Sequence, residues 1–128
     1  MDKTDAKNIS ALMLAYLGDS VFELIVREKL IEKGVVKNSV ANIKAKNFVT
    51  AKNQSKASEI LVDFFDPDEM DVYRRGKNAN VKSIPKSASP LEYKKATGVE
   101  AVFAFNYLRG EMERNLFLFD KAFSVNEK

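Results

Sequence analysis

The chain has 128 residues and a mass of 14.4 kDa, one domain by length. It carries 21 Lys and Arg against 18 Asp and Glu, a net charge of +3, and contains no Cys, His or Trp. That excludes a disulfide framework, a Cys or His zinc site, a Cys nucleophile and any His-based triad, and leaves Asp, Glu, Lys, Tyr, Ser and Thr, or a hard cation such as magnesium or manganese held through oxygen.

In chain order, the first eight residues, MDKTDAKN, are polar and charged, with no apolar region of a signal peptide. No apolar run approaches the roughly 18 residues of a membrane span. The expectation is a cytoplasmic protein with no membrane partner. A first helix is predicted from about Ser10, as N-cap, to Lys33, with Gly34 as its stop. A second starts near Ser39 and carries Val40, Ile43, Phe48 and Val49 on a helical period. The apolar signal weakens over residues 53–58 and resumes at Ile60, Leu61, Phe64 and Phe65. The run DPDE at 66–69 starts another helix, with Asp66 as cap, Pro67 in the first position and Glu69 completing a capping box. That helix should end between Gly76 and Asn80. Residues 80–89 read as a polar, basic loop. The run SPLE at 89–92 repeats the start logic and opens a helix to about Arg109, with Gly110 at its C-cap. A last helix, 111–123, should pack Met112, Leu116, Phe119 and Phe123. The pattern is all-α, five to seven helices, with no strand and no repeat.

Charge is unevenly placed. Residues 36–56 hold five Lys and no acid, residues 57–73 six acids and no base, and residues 74–95 seven bases against Glu92 alone. Such blocks suit a surface facing a polyanion. They suit solvated helix faces equally well.

Two carboxylates break the apolar pattern. On a helical wheel of about 100° per residue, Asp19 falls in one arc with Leu12, Tyr16, Val26 and Leu30, and Glu23 lies on the same arc. The opposite side holds Leu14, Leu17, Val21 and Ile25, so the helix should be central and Asp19 at least partly buried. Glu100 repeats the pattern among Tyr93, Ala96, Phe103, Ala104 and Tyr107. Burial of a charge demands a partner, a cation or a raised pKa. Two inward acids on facing helices can make a divalent-metal site, as in carboxylate-bearing bundles. The alternative is a pair of acids satisfied by Lys, Arg or backbone donors. A carboxylate-held cation beside a basic surface suits phosphodiester hydrolysis.

The run LAYLGDSVFE at 14–23 resembles the signature helix of the ribonuclease III family. The later runs RRGKNA at 74–79 and ATGVEA at 96–101 are similar to its short bacterial branch, Mini-ribonuclease III, which has the catalytic domain and lacks the double-stranded-RNA-binding domain. The resemblance spans about residues 9–120. It implies one ribonuclease III-like catalytic domain over residues 1–128, its core about 9–123. It also implies a two-fold homodimer and magnesium-dependent cleavage of double-stranded RNA, with manganese as the other candidate cation. In bacteria it implies maturation of both ends of the 23S ribosomal RNA precursor. Carried over by position, Asp19 and Glu100 are the catalytic and metal-holding acids. The longer enzymes place further acids where this chain has Leu12, Ala15 and Thr97, so fewer charges hold metal here. One magnesium per site with several waters is expected. Glu23 is either an acid behind the metal or an ion pair with Arg27 at i+4.

Arg74, Arg75, Lys77, Asn78, Lys82 and Lys86 are the candidate RNA contacts, although cations at a helix end also answer the helix dipole. Without an added binding domain, a ribosomal protein or a folded precursor would help select the cleavage site. Two other readings remain: a non-catalytic RNA-binding protein that keeps the fold, and a helical interaction module displaying Phe64, Phe65, Phe117 and Phe119. Those aromatics could equally form the core or a dimer seam.

Overall fold

A computed structural model describes residues 1–80 and 88–123. Within them the chain forms seven helices and no strand. These are α1 (Lys3–Lys7), α2 (Ala11–Glu32), α3 (Asn38–Val49), α4 (Ala51–Leu61), α5 (Pro67–Lys77), α6 (Pro90–Leu108) and α7 (Met112–Ala122). Helix boundaries follow local chemistry. Ser10 caps α2 by accepting from the Met13 N–H, and α2 ends ahead of Gly34, whose φ of 88° is left-handed. Both expected capping boxes are formed, Asp66 with Glu69 and Ser89 with Glu92, each with Pro in the first turn.

Two features depart from the sequence pattern. The N-terminal octet is not featureless: Asp2 caps the one-and-a-half-turn α1, which buries Ala6 completely. The basic stretch after Ser39 is two helices. At Thr50 the backbone is extended (φ −69°, ψ 151°), and its hydroxyl accepts from the Asn53 N–H to start α4.

The buried core is built on α2 and α6. Phe22, Ile25 and Val26 of α2 and Val99, Val102, Phe103 and Phe105 of α6 are fully excluded from solvent. Phe22 is ringed by Phe103 (5.6 Å), Phe119 (5.6 Å) and Phe123 (5.0 Å), which closes α7 over the central pair. The two central helices approach so closely at Gly18 that a Cβ there would lie 1.8 Å from the Glu100 carbonyl oxygen. Helix α5 reaches α6 by a second glycine contact, where a Cβ on Gly76 would lie 2.9 Å from the Cα of Gly98. These approaches set helix spacing and thereby place the residues beside the glycines.

Among the described residues, no helix is long and apolar enough to cross a membrane. Of the four aromatics considered for a partner surface, Phe119 is core and Phe65 is half-buried against Tyr73. Phe64 and Phe117 are exposed, edge to face at 6.1 Å, with the Lys121 ammonium over both rings.

Candidate active site

Gly18 and Glu100 touch through backbone, so the side chains that leave the helices at this crossing are forced together. Asp19 follows Gly18 on α2, and Glu100 leaves α6 at the same level. Asp19 is exposed, not partly buried as its wheel position suggested. Its arc-mates Leu12 and Tyr16 are also exposed, at 43% and 76%. Val26 and Leu30, further along the same arc, are buried, so the chain covers this face of α2 at its C-terminal end and leaves it open around Asp19.

Glu100 is half-buried, the less exposed of the two. It lines two adjoining cavities. One, of about 530 Å³, is open to Leu12, Tyr16, Asp19, Ser20 and Tyr93. The other, of about 420 Å³, is bounded by Thr50, Lys52, Gln54 and Ala96 and shares Tyr93 and Thr97 with the first. Burial pushes the Glu100 carboxyl up, and the negative charge of Asp19 pushes it further, to about 8, against the opposing pull of a hydrogen bond from Gln54. Two carboxylates in this relation repel each other when both are ionised. A hard cation between them would remove the repulsion and use their oxygens as ligands. Among the described residues no group of three or more Asp, Glu, His or Cys gathers to hold a metal. The donor set therefore fits a cation that keeps most of its water, as magnesium does.

Glu23, one turn beyond Asp19, pairs with Arg27 at 2.7 Å and lines neither cavity. Arg74 and Asn78 are exposed, and Lys77 is half-buried, at the C-terminal end of α5. The same turn packs Gly76 against Thr97 and Gly98 of α6, but Arg74, Lys77 and Asn78 line neither of the cavities that Glu100 lines. Arg75 has a structural task beside the RNA contact expected of it. Its guanidinium donates to the carbonyl oxygens of Lys7 (2.8 Å) and Ile9 (2.9 Å), holding the α1–α2 turn against α5. Lys82 and Lys86 lie outside the described residues.

Sequence reasoning missed Gln54. It is 1% exposed, and its Nε2 donates to Glu100 Oε2 (3.3 Å) and to the Val49 carbonyl (3.1 Å). A signal was present: Gln54, Ala57, Ser58 and Leu61 share the i, i+3, i+4, i+7 spacing of the buried α4 stripe, and an amide on that stripe calls for a partner.

Comparison with known proteins gives the family. Residues 12–111 match the ribonuclease III domain. A Mini-ribonuclease 3-like protein of Ilyobacter polytropus is 43% identical over 128 residues, all of both chains. Mini-ribonuclease 3 of Symbiobacterium thermophilum is 43% identical over 103 residues, 80% of this chain and 79% of that one. A crystal structure of a protein from Fusobacterium nucleatum superposes with a TM-score of 0.80 at 32% identity, covering 88% of this chain and 91% of the other. The acid pair at the α2–α6 crossing falls inside the matched domain. The chain thus belongs to the ribonuclease III family, the endoribonucleases of double-stranded RNA, and within it to the Mini-ribonuclease III branch.

Proposed function

We propose that Asp19 and Glu100 are the catalytic acids of a divalent-cation-dependent endoribonuclease, one site per subunit of a two-fold homodimer, each site cutting one strand of an RNA duplex. The observation that carries this reading is the pairing of an exposed and a half-buried carboxylate at the Gly18–Glu100 contact, on one open cavity of about 530 Å³. Asp19 and Glu100 would hold one magnesium, or manganese in its place. When bound, the cation polarises the phosphoryl oxygen, activates water and neutralises the leaving oxyanion.

The protein's own share is positional. Partial burial restricts the Glu100 carboxylate, and the open cavity lets the backbone of the RNA reach Asp19. Arg74, Lys77 and Asn78, at the C-terminal end of α5, hold phosphates of the duplex, with Arg75 bracing the same turn and Lys82 and Lys86 as further RNA contacts. Phosphate contacts position a duplex without reading its sequence, and A-form RNA is recognised mainly by shape. Selection of one site therefore needs the fold of the substrate or a bound protein. The reading includes maturation of both ends of the 23S ribosomal RNA precursor in the cytoplasm, assisted by a ribosomal protein, by one ribonuclease III-like catalytic domain. Two antiparallel strands related by a two-fold axis match a two-fold dimer, which supports the paired sites.

The test is cleavage of a duplex RNA by the purified protein, with and without magnesium, beside Asp19→Asn, which keeps size and removes charge. Wild type should cut both strands only with the cation. The variant should lose about a hundredfold or more, because several kcal/mol of transition-state stabilisation leave with the cation. Cleavage by the variant at the wild-type rate would remove Asp19 from the chemistry.

A further inference from the structure

Gln54 lies outside the acid pair, yet it is the side chain that reaches Glu100 from α4. One amide nitrogen has two hydrogens, and here it meets two acceptors: Glu100 Oε2 at 3.3 Å and the Val49 carbonyl, the last residue of α3, at 3.1 Å. The orientation of the amide follows from this. Reversed, it would set its oxygen against a carboxylate and a carbonyl. The remaining oxygen, Oε1, is buried without a partner among the described residues, a desolvation cost the fold accepts. A Leu or Met of similar volume would fill the stripe without that cost, so packing alone does not account for a Gln.

We propose that Gln54 is a positioning residue for the reaction: it fixes the Glu100 carboxylate by tying it to the end of α3. The proposal rests on Glu100 being a catalytic acid, as above. A polar group behind a catalytic carboxylate restricts its rotamers and keeps its lone pairs aimed into the cavity. The α3–α4 break contributes directly. Thr50 ends α3 and starts α4, which exposes the Val49 carbonyl to a side chain one turn into α4.

The experiment compares wild type, Gln54→Met, Gln54→Glu and Glu100→Gln by steady-state cleavage of a duplex RNA. Two readouts do not need activity: the melting temperature, and the magnesium or manganese concentration that half-saturates the thermal shift. Gln54→Met keeps the volume and removes both hydrogen bonds. Its kcat and its cation affinity should each fall by about 10- to 100-fold, as for other partners behind a ligand, while KM for RNA stays within about twofold. Gln54→Glu keeps the shape and places a carboxylate against Glu100, so its kcat should fall as far or further. If Gln54→Met does not fold, Gln54→Glu carries the test. A melting temperature lowered with kcat and cation affinity unchanged would overturn the proposal and leave Gln54 as packing. Wild-type activity in Glu100→Gln would overturn the catalytic reading and this proposal with it. An inactive Glu100→Gln beside a fully active Gln54→Met overturns this proposal alone.

Discussion

Glu69 shows how one side chain can join three helices. It is fully buried, yet both its oxygens are satisfied. Arg114 of α7 donates Nη2 to Oε1 (2.7 Å) and Nε to Oε2 (2.9 Å), Asn106 of α6 donates to Oε2 (2.8 Å), and the Asp66 N–H to Oε1 (2.9 Å). Burial alone would push this carboxyl up; the donors, Arg114 first, outweigh it and hold the group below its ordinary 4.5. The sign of the pH dependence follows. A carboxyl with a depressed folded pKa contributes stability above its unfolded value, and that contribution is lost as pH falls from about 4.5 through the folded value. Glu69→Gln should cost about 3 kcal/mol at pH 7, the low end for breaking a buried ion pair because Arg114 keeps some water. Urea unfolding at pH 7 and pH 3 checks this: the gap between wild type and variant should shrink at the lower pH. An equal gap at both values would mean that folding does not lower the pKa of Glu69. Residues of this kind are legible in part. Asp19 and Glu100 stood out because a carboxylate on an apolar arc is rare. Gln54 did not, because an uncharged amide leaves no mark in a charge or hydropathy count, and its meaning depends on Glu100, 46 residues away.

At the scale of elements, the α2–α6 crossing is the feature on which the site depends most. A Cβ at Gly18 would fall 1.8 Å from a backbone oxygen, which no side-chain rotation can relieve. Gly18→Ala therefore has to push the helices apart. The cost should exceed the roughly 1–3 kcal/mol of ordinary overpacking. Asp19 and Glu100 would separate with the helices, so cleavage should fall even in whatever fraction still folds. Calorimetry for stability, with the rate measured per folded molecule, separates the two effects; a variant with native stability would show that the crossing is looser than described. The helix starts were readable because caps are local. Asp66 with Glu69, and Ser89 with Glu92, close within one turn and need no tertiary partner. Helix α1 was not readable because its support is remote: Lys7 pairs with Asp68 at 3.0 Å, and Arg75 holds the carbonyl oxygens that follow the helix. Five residues cannot hold a helix alone, so no propensity argument could have placed it. The α3–α4 break was hidden for a related reason, since Thr50 is an ordinary residue on a helical period until its hydroxyl takes the Asn53 N–H.

At the scale of the whole molecule, the unexplained surface lies beside the site. Leu12, Met13 and Tyr16 expose 43%, 57% and 76% of their area in the first two turns of α2, the helix that carries Phe22, Ile25 and Val26 into the core. Contiguous apolar surface of this sort on a small domain costs solubility unless something covers it. A second copy related by a two-fold axis covers such a patch with the same patch and needs no other partner. The same operation would place two acid pairs on one face, so that one binding event presents both strands of a duplex. Tyr16 is the most exposed of the three and lies one turn from Asp19. Tyr16→Asp puts a charge into the expected seam, where burial without a partner costs several kcal/mol. Sedimentation equilibrium should find wild type at twice the 14.4 kDa chain mass and Tyr16→Asp at that mass. A wild type that sediments as a single chain would end the dimer reading, and a variant that stays paired would place the seam away from Tyr16.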